Sequence, residues 1–179
     1  YCLYLFILIG ISCSAELKAQ KNGTVYKGND PAVRYTGRTL VSPDGSVAFD
    51  WVGTYLETRF TGGKLSVKVS ETGTSYYNVF VDGKLHKVVK VCGTDTLIHL
   101  VSGIDKRIHS LKIQKRSEGE FGKTTVHQFV LSGSGRLAEE PAVRTRHIEF
   151  IGNSLTCGYG TDGKHRDEPF LVETENCNL

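Results

Sequence analysis

The segment Gly152-Asn153-Ser154-Leu155-Thr156-Cys157-Gly158-Tyr159-Gly160 places a serine in a glycine-rich turn, directly after the apolar run Ile148-Glu149-Phe150-Ile151. A strand that runs into such a turn lifts the hydroxyl out of the sheet, which is how hydrolases of mixed α/β type expose a nucleophile. Gly152 removes side-chain bulk beside the reacting carbonyl, and the Ser154 backbone N–H can face a developing oxyanion. The chemistry expected is acyl transfer, with Ser154 as nucleophile and Gly152, Asn153, Thr156 and Gly158 shaping its turn. A phosphate-binding loop is a poor fit, because no Lys stands in the required Gly-Lys-Ser/Thr position. Gly158-x-Gly160-x-x-Gly163 has dinucleotide-fingerprint spacing, but a charged loop, Lys164-His165-Arg166-Asp167, follows where a helix has to open.

A serine nucleophile needs a base. His165 is the last histidine in the chain and the only one after the serine; its charged surroundings read as a solvent-exposed loop. His86, His99, His109, His127 and His147 lie in or beside predicted strands and read as structural or surface residues.

The elements that must carry this turn are strands. From Thr24 to Leu137 the hydrophobic period is two. In Lys64-Leu65-Ser66-Val67-Lys68-Val69-Ser70 the apolar residues face a core and the Lys and Ser residues face water. Tyr76–Val81 and Lys84–Val91 are joined by Asp82-Gly83, a strong hairpin signal because both turn residues need positive φ. Pro43-Asp44-Gly45 and Gly62-Gly63 mark further turns. Thr96–Val101, His109–Lys115 and Thr124–Leu131 complete about eight strands with no helix between them, the pattern of an antiparallel sandwich or jelly roll. Trp51, the single tryptophan, is expected in that core, since aromatics carry much of a sandwich interior. Ser132-Gly133-Ser134-Gly135 ends the run, and residues 138–146, which include Pro141, read as a linker.

Composition bounds the remaining possibilities. The 179 residues are 39% hydrophobic and 23% charged, with 22 basic and 19 acidic side chains interspersed. Without a basic face or arm, nucleic-acid binding is not expected; Arg144-Thr145-Arg146-His147 is short and abuts an apolar strand. Residues 1–19 read as part of a signal peptide: an apolar stretch from Tyr1 to Ile11 is too short to span a membrane, and small residues follow it. Cys13-Ser14-Ala15 and Ala19-Gln20 both offer cleavage sites. A lipid anchor on Cys13 is a weaker reading, because Gly10 stands where an aliphatic residue is usual. Location is therefore expected to be secreted or periplasmic. Cys92, Cys157 and Cys177 remain outside the leader, with room for one disulfide of unassigned pairing. No Cys or His spacing fits a metal site.

The nucleophile segment resembles the first block of the SGNH hydrolases, the Gly-Asp-Ser-Leu type, with Asn153 in place of the usual Asp. The longer string from Ile148 to Gly160 resembles carbohydrate esterase family 2. Tyr35-Thr36-Gly37-Arg38, Trp51-Val52-Gly53-Thr54 and the hairpin Tyr77-Asn78-Val79-Phe80-Val81-Asp82-Gly83 carry the resemblance upstream. It implies a mainly β fold: an N-terminal jelly-roll β-sandwich (24–137), a linker, and over 147–179 the first strand and nucleophile turn of an α/β SGNH hydrolase domain. It implies a monomeric serine esterase that needs no metal or cofactor and removes acetyl groups from plant cell-wall polysaccharide, acetylated xylan or mannan. In the family a late histidine is the base, and a later Gly and Asn complete the oxyanion hole. Those blocks are not among the 179 residues, so the chain is expected to be a fragment with little activity of its own and a poorly packed C-terminal stub. Two alternatives remain open: a non-catalytic carbohydrate-binding sandwich using Tyr55, Tyr76 or Tyr77, and a sandwich with a purely structural tail.

Overall fold

The computed structural model describes residues 23–139, 145–146, 148, 151–158 and 160–167. The expected leader, most of the expected linker and residues 168–179 lie outside the described residues. Ten strands follow in chain order: β1 (Thr24–Lys27), β2 (Val33–Thr36), β3 (Leu40–Val41), β4 (Val47–Phe49), β5 (Tyr55–Thr61), β6 (Lys64–Val81), β7 (Lys84–Val101), β8 (Ile108–Lys115), β9 (Thr124–Ser132) and β10 (Arg136–Leu137). Among the described residues a 3-10 turn, Gly119–Phe121, precedes β9, and a one-turn helix α1 spans Ser154–Cys157.

The pairings among these strands are antiparallel, in the order β10-β5-β8-β6-β9-β4-β3, with β2 also on β5, β1 on β9 and β7 on β6. The sheet curls into the mainly β sandwich that the alternation predicts. Strand β6 belongs to both layers: its first half pairs with β9 (Lys64↔Ser132 to Glu71↔Thr124) and its second half with β8 (Tyr77↔Lys115 to Val81↔Leu111). Between these halves the ladder with β7 is irregular, with register shifts either side of Glu71. Bulges of this kind let a strand turn a corner from one layer into the next.

In β6 the predicted apolar positions face the core, but Ser66, expected to face water, is buried as well, with its hydroxyl 3.4 Å from His99 Nδ1. Leu65, Val67 and Val69 are buried from β6, Leu56 and Phe60 from β5, and Phe129 and Leu131 from β9. Each fully buried large apolar side chain contributes on the order of 1.5–3 kcal/mol. The gap left between the layers is about 20 Å³, near the size of one water, so the core is not a ligand chamber. The β6–β7 hairpin turns at Asp82 (φ 50°) and Gly83 (φ 75°), the positive-φ pair that the Asp-Gly dipeptide predicts. The sequence reading breaks β6 and β7 into separate strands near residues 71–75 and 92–95. In the structure each is one 18-residue strand, because those residues form a bulged corner instead of a loop.

One buried histidine joins the hairpin tip to the start of β8. His109 is 3% exposed, with Nδ1 at 2.7 Å from Asp82 Oδ2 and Nε2 at 2.9 Å from Asp105 Oδ1. The hydrogen bond to Asp82 is the largest influence and raises the imidazole above its ordinary value against the opposing effect of burial; Asp105 adds to the rise. Asp105 is held down to about 2, first by the Arg107 backbone N–H, then by the Arg107 guanidinium and His109. Asp82 is lowered chiefly by His109 and the Ser110 N–H. A group whose folded pKa is raised stabilises fully below its unfolded value and loses that contribution as pH rises through the folded one. The carboxylates contribute above their ordinary values and lose that contribution in acid. The cluster is therefore most stabilising between about pH 4 and 6.5. Asp82→Asn keeps an acceptor and removes the charge. Urea unfolding should show the variant weakened relative to wild type at pH 5.5, with the difference closing by pH 8.5; an equal loss at both values would contradict this account.

Candidate functional site

Local hydrogen bonds build the turn at Ser154. Asn153 is extended (φ −108°, ψ −164°), and its Oδ1 accepts the Leu155 N–H at 3.0 Å, while its carbonyl accepts the Thr156 N–H at 3.0 Å. This is an N-cap, and an aspartate would make the same bond, so the Asn at this position preserves the geometry. Gly158 closes α1 in the left-handed region (φ 76°), with its N–H donated to the Ser154 carbonyl. Gly152 has a steric role: a Cβ there would lie 2.0 Å from Thr156 Oγ1 and 2.6 Å from Thr156 Cβ. Thr156 thus packs directly on the Gly152 backbone, and Ser154 is exposed at the first position of α1. The structure places Gly152, Asn153, Ser154, Thr156 and Gly158 in one short turn.

The flanks differ from a completed α/β site. Ile148 and Ile151 are 78% and 90% exposed and carry no strand assignment, and Leu155 is 88% exposed. A parallel strand is stabilised by neighbours that cover both faces, and among the described residues none lies against these side chains. His165 is exposed in its loop. Past α1, Thr161 and Gly163 donate backbone N–H groups to Gly158 and Gly160 at 3.1 and 2.9 Å. The loop they shape presents Asp162 to the Arg116 guanidinium, forming an ion pair between the segment after Ser154 and the sandwich. Arg116 is nearly buried and also reaches Asn78 Oδ1 at 3.4 Å. This pair was not legible in sequence, because its two members are brought together only by the fold.

The same end of the sandwich carries a second group. Trp51, expected in the core, is 58% exposed, because it sits in the turn between β4 and β5 instead of on an inward strand position. The Thr54 N–H donates to the Trp51 carbonyl at 3.3 Å, and Gly53 supplies the positive φ (76°) that such a turn needs at its third residue. Gly53 N–H donates to Lys115 O, and Lys115 N–H to Thr54 O, both at 2.9 Å. The fully buried Lys115 ammonium donates to the carbonyls of Ser117 (2.8 Å) and Glu118 (3.2 Å). Asp50, Trp51, Glu118 and Gly119 line an open cleft of about 260 Å³, and the Arg38 guanidinium lies 5.7 Å from the indole centroid, within cation–π range. The signal available in sequence was the flanking Asp50 and Gly53, which mark a turn.

The other aromatic candidates do not form an exposed row. Tyr77 is buried, its hydroxyl bonded to Thr124 and its pKa raised well above the ordinary phenol value, first by burial. Tyr55 is half-buried with the Lys112 ammonium 4.3 Å from its ring centroid, and Tyr76 is half-buried. Cys92 is an exposed free thiol. Among the described residues no group of three His, Cys, Asp or Glu side chains could hold a metal ion, and no helix is long and apolar enough to cross a membrane.

Residues 35–141 match the family model described as carbohydrate esterase 2 N-terminal. The chain belongs to this family. It is 33% identical over 148 residues to the cellulase/esterase CelE of Acetivibrio thermocellus, covering 83% of this chain and 18% of CelE. It is 29% identical over 152 residues to an acetylxylan esterase / glucomannan deacetylase of Cellvibrio japonicus, covering 84% of this chain and 42% of that protein. The solved family two carbohydrate esterase from Clostridium thermocellum in complex with cellohexaose superposes with a TM-score of 0.75 at 33% identity, over 80% of this chain and 44% of that one. This carbohydrate esterase 2 chain thus spans less than half the length of these relatives.

Lys115→Met keeps the stem of the buried side chain and removes the ammonium that the Ser117 and Glu118 carbonyls depend on. Leaving such acceptors unpaired costs about 1–3 kcal/mol. A urea melt followed by Trp51 fluorescence should register a loss of that size.

Proposed function

We propose that this chain supplies the sandwich and the nucleophile turn of a secreted serine esterase that removes acetyl groups from plant cell-wall polysaccharide, acetylated xylan or mannan. The observation that carries the reading is the Ser154 turn. A capped, glycine-pinned serine stands exposed just after a carbohydrate esterase 2 N-terminal domain. The apolar leader supports secretion, and the names of the relatives support the substrate class.

In this reading the Ser154 Oγ attacks the acetyl carbonyl as a general base takes its proton. The tetrahedral oxyanion meets the Ser154 backbone N–H and further donors. Collapse expels the sugar hydroxyl, which takes the proton back, and water then releases acetate from the acyl-serine. The base is a histidine from later SGNH blocks, since His165 lies exposed in a polar loop. Without that base the Ser154 hydroxyl keeps ordinary serine reactivity, so the 179 residues alone should deacetylate poorly.

The test is to read the gene past the Leu179 codon and assay the encoded polypeptide for acetate release from acetylated xylan and glucomannan. Ser154→Ala should lower kcat by at least about a thousandfold, and a fluorophosphonate should label the wild-type polypeptide at Ser154 but the 179-residue chain only weakly. Undiminished acetate release by Ser154→Ala would leave Ser154 in a structural tail.

A further inference from the structure

An exposed tryptophan on a rigid turn calls for a ligand more than a loose loop does. Trp51 is the single tryptophan of the chain and keeps 58% of its surface in water, although burying it would be favourable. Its exposure is built in. The turn is closed by Thr54 N–H, tied on both sides to the end of β8, and backed by the loop that the Lys115 ammonium holds. Gly119 approaches so closely that a Cβ there would lie 3.3 Å from the Asp50 carbonyl oxygen. These backbone ties and the close packing of Gly119 fix the cleft floor.

The chemistry around the ring narrows the ligand. An indole offers an apolar face. Asp50 and Glu118 offer carboxylate acceptors at the cleft, and Arg38 brings a guanidinium donor over the ring. Two carboxylates against one cation disfavour an anionic ligand. A neutral polyhydroxylated ring fits: its axial C–H face lies on the indole surface that Arg38 leaves open, and its hydroxyls donate to the carboxylates. The cleft volume of about 260 Å³ lies near the lower end of small-molecule sites, roughly 300–1,000 Å³, which suits one or two sugar rings of a longer chain passing through an open site. Position adds an independent constraint. Arg116, two residues before Glu118 and Gly119 of the cleft wall, is the residue paired with Asp162 of the segment after Ser154, so the cleft and the Ser154 turn share one end of the sandwich.

We propose that Trp51, Arg38, Asp50 and Glu118 form a polysaccharide subsite on the sandwich itself, holding the backbone of a β-1,4-linked glycan whose ester-bearing residue lies toward Ser154. The choice of glycan rests on the esterase reading above; the site does not depend on catalysis.

Because Trp51 is the sole tryptophan, its fluorescence reports this site alone. Titration of the 179-residue chain with xylohexaose and with cellohexaose should give a saturable change with at least one of them. Ser154→Ala should titrate like wild type. On affinity gels containing xylan or hydroxyethyl cellulose, Trp51→Ala should lose retention at least tenfold. Glu118→Gln, whose neutral amide conserves shape, should weaken retention by a smaller factor. Circular dichroism matching wild type establishes that the variants fold. No saturable change with either oligosaccharide overturns the proposal, as does retention that survives Trp51→Ala, which would make the ring a packing surface for other protein. Trp51-dependent binding in a polypeptide that releases no acetate would sink the esterase reading and leave the subsite standing. Ser154-dependent acetate release with binding indifferent to Trp51 would do the reverse.

Discussion

The structure depends on one strand being shared between two layers. Strand β6 pairs with β9 over its first half and with β8 over its second, so the layers cannot separate without breaking a continuous backbone ladder. The corner where it crosses is held by buried polar groups. Thr124 donates its hydroxyl proton to the Glu71 carboxylate, which leaves the Tyr77 hydroxyl as donor to Thr124. Each member has a partner, which is what makes such a chain tolerable in a low-dielectric interior. Two close approaches fix the corner further: a Cβ on Gly73 would lie 2.1 Å from the Phe121 carbonyl oxygen, and one on Gly122 would lie 2.1 Å from Glu71 Oε1. Side chains larger than hydrogen would push the corner away from the loop before β9.

That corner also sets the functional end. Just past it, the Tyr76 N–H donates to Ser117 Oγ at 2.8 Å, and the Tyr76 carbonyl accepts the Arg116 N–H at 3.0 Å. The loop that receives these bonds carries Arg116 toward Asp162 and places Glu118 and Gly119 opposite Trp51. The core geometry is thereby transmitted to the cleft through hydrogen bonds to the backbone of β6, and from there to the Ser154 segment through the Arg116–Asp162 ion pair.

The division between what sequence revealed and what it concealed follows the range of the interactions. The core face of β6 was legible because alternation is local, and the Asp82-Gly83 hairpin was legible because its φ requirement is met by two adjacent residues, whereas β5 (Tyr55–Thr61) was not read as a strand. A turn at Ser154 was legible from its local glycines; the one-turn helix, its Asn153 cap and the Gly152–Thr156 contact were not read, although all lie within seven residues, Gly152 to Gly158. The continuity of β6 and β7 was not, since Gly73 and Gly93 resemble turn residues until the opposite layer is present to make them a corner. Trp51 was misplaced because its residue type favours a core, whereas its exposure is decided by Lys115 and Gly119, which are distant in sequence.

The Trp51 cleft and the Ser154 turn differ in how they are held, and this bears on how they would work together. The Trp51 cleft is part of the packed sandwich and shares its stability. The Ser154 turn has well-formed internal bonds, but Ile148, Ile151 and Leu155 contribute almost no burial, and the ion pair of Arg116 with Asp162 is a polar tie to the sandwich. Burial disfavours the charged guanidinium and lowers its pKa, yet an arginine stays protonated across the physiological range, so the pair persists wherever Asp162 is ionised. A half-exposed pair of this kind fixes orientation more than it adds stability. The sandwich is therefore the rigid reference, and the segment after Ser154 is aligned to it by charge; a glycan seated on Trp51 would be aligned to the same reference.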